Sequence, residues 1–166
     1  MWGKVGESFQ GSRTSLRHSS VTHGFSQVFQ GTALITLDSK GRLSLPAKSR
    51  ADIKAQGGTI VAARHPDGCL VLYPSDAWAP RREKLLALPW SARGFVRLVL
   101  GSAVELVPDA AGRILIPADL RALSGLGREC ALVGLGEHFE LWDRARLRAA
   151  EEAALAAGVD AGDFTF

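Results

Sequence analysis

The chain has 166 residues, 46% of them apolar, and carries a formal charge of +3 at pH 7. That length suits one domain or two small intertwined ones, and that apolar content lets a chain bury a core. So mild a positive balance permits an anionic partner without demanding one, so local clustering must carry any electrostatic recognition.

Residues 1–27 are rich in Ser, Gly, His and Thr and show no sustained period of two or 3.6. Lys4, Arg13 and Arg17 stand there against Glu7, so this segment holds +2 of the chain's +3. Such a composition predicts a disordered extension: a basic arm that touches phosphates, or a dispensable tail. It lacks the apolar centre of a secretory signal, and no stretch of the chain approaches the roughly 20 apolar residues of a membrane span.

From Thr32 onward an internal repeat organises the chain. Asp38-Ser-Lys-Gly-Arg42-Leu-Ser-Leu-Pro46-Ala-Lys-Ser-Arg50 superimposes on Asp109-Ala-Ala-Gly-Arg113-Ile-Leu-Ile-Pro117-Ala-Asp-Leu-Arg121 at a constant offset of 71, with six identities in thirteen positions. In each copy a strand arrives (32–37; 103–107) and enters a tight turn. There Asp38 or Asp109 can cap the backbone, and Gly41 or Gly112 supplies a positive φ. A short second strand follows (42–45; 113–116). Pro46 and Pro117 are placed at the first helical position, where a missing N–H costs little. Short helices then run to about Ala55 and Leu123. A Gly-containing loop and two further apolar strands complete each copy (59–63 and 69–73; 131–135 and 139–142).

Between the copies lie helical stretches. One covers 76–88, with Ser75 as its expected cap and Pro80 as an expected early interruption. Another covers 92–100, with Phe95, Val96, Val99 and Leu100 at helical spacing and Arg93 and Arg97 toward the other face. A last helix over 143–157 is to end at Gly158. One unit of about 50 residues is marginal alone, whereas two copies sharing strands can close a small barrel and remove exposed edges. The expected organisation is an extension (1–27), a first repeat (28–79), connecting helices (80–100), a second repeat (101–146) and a C-terminal helix and tail (147–166). The fold class is α+β, β-rich.

The doubled Asp-x-x-x-Arg turn, together with Phe29-Gln-Gly31, Leu70-Val-Leu-Tyr-Pro74, Gly112-Arg-Ile-Leu-Ile-Pro117 and Phe139-Glu-Leu-Trp142, resembles the MraZ family of the AbrB-like, swapped-hairpin β-barrel superfamily. The resemblance covers roughly residues 28–157. It implies two tandem AbrB-like repeats in a pseudo-symmetric swapped-hairpin barrel with peripheral helices. It also implies a cytoplasmic, nucleoid-associated transcriptional regulator that forms a ring-like, octamer-like homo-oligomer. Such a protein would bind short direct repeats in double-stranded promoter DNA upstream of the division and cell-wall gene cluster, including its own promoter. No enzyme activity, cofactor, metal, membrane or small-molecule substrate comes with it. Family members begin Met-Phe-x-Gly, and the corresponding run here is Val28-Phe29-Gln30-Gly31. The resemblance thus implies a translation start at residue 28 through a GTG codon; an intact mass that includes residues 1–27 would contradict this.

DNA contact needs cations where phosphates pass and side chains such as Arg that reach base edges. The stretch 32–50 holds Lys40, Arg42, Lys48 and Arg50 against Asp38, a net of +3. The stretch 103–121 holds Arg113 and Arg121 against Glu105, Asp109 and Asp119, a net of −1, and Ala111 stands where copy one has Lys40. The expected DNA-binding residues are therefore Lys40, Arg42, Arg113 and Lys48, with copy one leading. Asp38, Gly41, Asp109 and Gly112 are expected to form the turns. Arg50 and Arg121 are expected to tie their helices to the barrel, and the cluster Arg81, Arg82, Lys84, Arg93 and Arg97 to be a solvated helix surface.

Two rival classes remain. For catalysis, His18, His23, His65 and His138 form no HExxH spacing, Gly134-Leu-Gly136 lacks a third dinucleotide-loop glycine, and there is no Walker-type sequence. Cys69 and Cys130 are isolated in apolar runs, read as buried reduced thiols without neighbouring His partners. The other rival is an AbrB-like interaction module or antitoxin-type autorepressor that holds a toxin through a tail. Two repeats in one chain argue against it.

Overall fold

The computed structural model describes residues 29–158 and residue 162. The expected extension over residues 1–27 and the start at Val28 lie outside the described residues. Each copy runs strand, strand, helix, strand, strand, helix. Copy one contributes β1 (Phe29–Thr36), β2 (Arg42–Ser44), α1 (Ala47–Ala55), β3 (Ile60–Arg64), β4 (Leu70–Pro74) and α2 (Ser75–Leu86). A 3-10 turn (Trp90–Ala92) and α3 (Arg93–Leu100) lead into copy two. Copy two contributes β5 (Val104–Leu106), β6 (Arg113–Leu115), α4 (Ala118–Leu123), β7 (Glu129–Gly136), β8 (Phe139–Asp143) and α5 (Arg144–Ala157).

The strands form a six-stranded antiparallel sheet in the order β1-β7-β8-β4-β3-β5 and a separate two-stranded ribbon, β2-β6. The order reads the same from either end once copies are exchanged, so a pseudo-twofold axis passes between β4 and β8. Among the described residues, only β3–β4 and β7–β8 pair within a copy; the ladders β1–β7, β2–β6, β3–β5 and β4–β8 all join one copy to the other. Neither copy can complete its sheet alone, as expected of a unit too small to bury its own core.

The main core lies between the inner sheet face and the ribbon. Leu43, Leu45, Ile114 and Ile116 of the ribbon pack with Ile60, Leu70, Leu72, Leu132 and Leu141 of the sheet, and Ile53 and Leu120 close it from α1 and α4. A second cluster covers the outer face, where Val61, Ala63, Val71 and Tyr73 meet Trp78 of α2 and Val99 of α3. The sheet itself is open, with β1 and β5 as its edges. Strand pairing among the described residues does not run in one closed ladder; an open sheet and a ribbon share one core.

Local sequence explains most boundaries. Pro46 and Pro117 stand one residue ahead of α1 and α4, with ψ of 136° and 144°, and not at the first helical position. The fixed φ of proline fits a cap as well as a first turn, so the helix bonds simply begin one residue later. Pro80 lies inside α2 and does not interrupt it. It removes one backbone bond, but buried Trp78 and half-buried Leu85 anchor the helix to the sheet on both sides. Ser75 does not cap α2; its Oγ donates to the Gln56 carbonyl at 3.2 Å. Asp143, by contrast, caps α5 by accepting from the N–H groups of Ala145 (3.1 Å) and Arg146 (3.3 Å). Gly158 ends that helix with φ of 78°. Among the described residues, no helix is long and apolar enough to cross a membrane.

Candidate nucleic-acid interface

The two Asp-x-x-x-Arg turns have the same bonding. In the first, Asp38 Oδ1 accepts from the N–H groups of Lys40 and Arg42, both at 2.9 Å, and Oδ2 accepts from Arg42 Nε at 2.7 Å. In the second, Asp109 Oδ1 accepts from Ala111 and Arg113, both at 2.9 Å, and Oδ2 from Arg113 Nε at 2.8 Å. Gly41 and Gly112, with φ of 85° and 72°, donate back to the carbonyls of Asp38 and Asp109. A charge-assisted network of this kind favours the ionised carboxylate. The Arg42 N–H, and then its guanidinium, hold the Asp38 carboxyl down to about 2, and the same contacts from Arg113 lower Asp109. The aspartates therefore gather the backbone of each turn.

The ribbon then fixes which way each arginine faces. Arg42 pairs with Leu115, Leu43 with Ile114, and Ser44 with Arg113. Side chains alternate along a strand, so burial of Leu43 and Ile114 turns Arg42, Ser44, Arg113 and Leu115 to the outward face. Leu115 is 52% exposed there. Arg42 and Arg113 are half-buried, each with its Nε committed to its own aspartate. Lys40 lies exposed at the tip of the first turn and Lys48 exposed at the start of α1, whereas Ala111 occupies the tip of the second turn. The structure thus gathers Arg42 and Arg113 on one ribbon face and places both lysines on copy one. Ser44 and Leu115 on that face were missed from the sequence; the alternation over 42–45 and 113–116 carried the signal.

Arg50 and Arg121 also have a role across the copies that spacing within one copy could not show. Arg50 Nε donates to the Leu45 carbonyl at 2.9 Å and Arg121 Nε to the Ile116 carbonyl at 3.2 Å. A Cβ added at Gly112 would meet Arg50 at 2.5 Å, and one added at Gly41 would meet Arg121 at 2.6 Å. Each turn glycine therefore gives passage to the arginine of the other copy.

Of the helix-borne cations, Arg81 stacks over Tyr73 at 4.7 Å and bonds Glu137 at 2.5 Å, while Arg82, Lys84, Arg93 and Arg97 are exposed. Cys69 and Cys130 are buried and unpaired, and burial pushes their thiols up to about 12 and about 11. One expectation about them needs correction: Cys69 does have a histidine neighbour, because a tight turn returns the chain and brings His65 beside it.

With this geometry in hand, comparison with known proteins is decisive. Residues 28–93 and 99–163 each match the family described as "MraZ protein, putative antitoxin-like". This chain belongs to the MraZ family. It is 45% identical over 133 residues to the transcriptional regulator MraZ of Ralstonia pickettii (strain 12J), an alignment covering 80% of this chain and 94% of the relative. It is 45% identical over 142 residues to the transcriptional regulator MraZ of Herminiimonas arsenicoxydans, covering 84% of this chain and all of the relative. The relative of that name in Burkholderia cenocepacia is 44% identical with the same coverage. The two family matches fall on the two copies seen in the fold, with the break inside α3.

Proposed function

We propose that this MraZ-family chain is a DNA-binding transcriptional regulator that reads short direct repeats in promoter DNA upstream of the division and cell-wall gene cluster, including its own promoter. The observation that carries this reading is the outward ribbon face with Arg42 and Arg113, flanked by exposed Lys40 and Lys48. A two-stranded ribbon fits the major groove, where arginine can reach base edges while the lysines meet phosphates. The names of the relatives support regulation of transcription. In this reading the chain works in the cytoplasm at the nucleoid, without catalysis.

The mildly basic chain acts here as a ring-like, octamer-like homo-oligomer. Several weak subunit contacts then add through effective concentration when half-sites match the subunit spacing. The open edge strands β1 and β5 support further assembly. The sheet and ribbon are read as the two sides of a swapped-hairpin barrel, because both wrap one core. The division into 1–27, 28–79, 80–100, 101–146 and 147–166 belongs to the same proposal. A fragment of the chain's own upstream DNA, compared with a shuffled fragment across a salt series, tests the reading. Tighter binding to the natural fragment, weakening steeply with salt, is expected; equal binding to both contradicts sequence recognition. The antitoxin-like wording of the family description favours one second reading, an autorepressor that holds a toxin-like protein, and co-purification of such a partner would favour it.

A further inference from the structure

On the outer face of the sheet, away from the ribbon, three segments bring His65, Cys69 and Glu140 together. The His65 N–H donates to the Cys69 carbonyl at 3.0 Å, which makes the two cross-strand neighbours at the end of the β3–β4 hairpin. Glu140 in β8 pairs with Val71 in β4, one step further along the same face. One ligand atom from each of the three side chains lies within 4.8 Å of the other two. In a tetrahedral zinc site neighbouring donors sit roughly 3.3–3.7 Å apart. Small rotations of the half-exposed His65 and Glu140 close that gap, while Cys69 is fixed in the core.

The surroundings match what metal ligands use. Trp142 Nε1 donates to Glu140 Oε2 at 2.8 Å and orients the carboxylate. His65 Nδ1 accepts from the Asp67 N–H at 3.3 Å, with Asp67 Oδ2 3.5 Å away, so the turn orients the imidazole. The fold does not require these donors. In copy two the same hairpin bond runs from Leu135 N–H to the His138 carbonyl at 2.9 Å, and Val71 is the counterpart of Glu140. The equivalent corner is therefore Leu135, His138 and Val71, which offers one donor where copy one's corner offers three.

We propose that His65, Cys69 and Glu140 form a divalent transition-metal site, suited to zinc or cobalt, that staples the two copies across the central β4–β8 seam. Imidazole, thiolate and carboxylate together favour such ions over magnesium or calcium. The half-exposed His65 gives the ion access, and the fourth position is open to water. Binding forms the metal–sulfur bond and releases the Cys69 thiol proton to solvent.

The test is a titration of the full, chelator-treated chain with Co2+ in a non-thiol reductant, followed by visible and near-ultraviolet absorption. A thiolate-to-cobalt band saturating at one ion per chain is expected, bleached by Zn2+, with an upward Tm shift on zinc binding. The band should vanish in Cys69→Ser and persist in Cys130→Ser. His65→Ala should weaken binding by more than about tenfold. This last variant sits on a surface turn and decides the matter if Cys69→Ser fails to fold. No thiolate band in the folded chain, or a band unchanged in Cys69→Ser, overturns the proposal. So does unchanged affinity in His65→Ala. Histidines elsewhere in the chain could bind cobalt, but they produce no thiolate band.

Discussion

The turn at Asp38 and the turn at Asp109 are made of the same bonds but offer different surfaces. Both use one carboxylate to gather two N–H groups and an arginine, and both pass the other copy's arginine over a glycine. The positions between Asp and Gly point outward, and there copy one carries Lys40 while copy two carries Ala111. The bonds common to both copies are thus those that hold the turns and the ribbon together, and charge differs where the fold does not depend on it. Geometry is shared by the pair; exposed positive charge is weighted toward one member.

Four kinds of change break or sharpen that comparison. The largest effect falls on the shared core: Leu43→Ala and Ile114→Ala should each cost about 2–5 kcal/mol in denaturant unfolding. The two side chains face each other across the ribbon, so the double variant should depart from the sum. Strict additivity would mean that the ribbon does not couple the copies. Next come Gly41→Val and Gly112→Val, which force a branched residue into positive φ and push on Arg121 or Arg50. Each should lose about 1–3 kcal/mol, and a neutral result at either would remove the glycine argument for that turn.

Acid titration separates the carboxylates from everything else. Asp38 is held well below its ordinary value, so its stabilising contribution is complete above about pH 4 and disappears as pH falls toward 2. Asp109 is lowered in the same direction. Asp38→Asn keeps an acceptor for the two N–H groups but cannot ionise, so its unfolding curve should be flatter with pH across that window. An unchanged pH dependence would show that Asp38 does not titrate in its turn network. The smallest effect concerns charge alone. Ala111→Lys should raise the salt slope of DNA binding by about one, and Lys40→Ala should lower it by about one. If Ala111→Lys changes nothing, the second turn does not approach phosphates.

Much of this was legible in the sequence because the repeat fixes chemistry to position. The Asp–Gly–Arg spacing identified both turns, and the α1, α4 and α5 ends fell where Ala55, Leu123 and Gly158 indicated. What could not be read was pairing over long separations. That β1 pairs with β7, that Arg121 covers Gly41, and that Glu140 reaches Cys69 all depend on strand exchange between the copies. Local signals also misled where tertiary packing dominated. Pro80 looks like a helix breaker until Trp78 and Leu85 are seen to anchor α2. The alternation within β2 and β6 was present but short, three residues each, so the outward placement of Ser44 and Leu115 became clear only from the ribbon register.

On the proposed function, the first turn leads recognition. Its most direct test measures binding of wild type, Arg42→Ala and Arg113→Ala to the chain's own upstream DNA at several salt concentrations, with thermal melts confirming that each variant folds. Arg42→Ala should lose about 1–3 kcal/mol of affinity, more than Arg113→Ala loses. Wild-type affinity in Arg42→Ala, or the greater loss in Arg113→Ala, would contradict the account and return Arg42 to holding its turn.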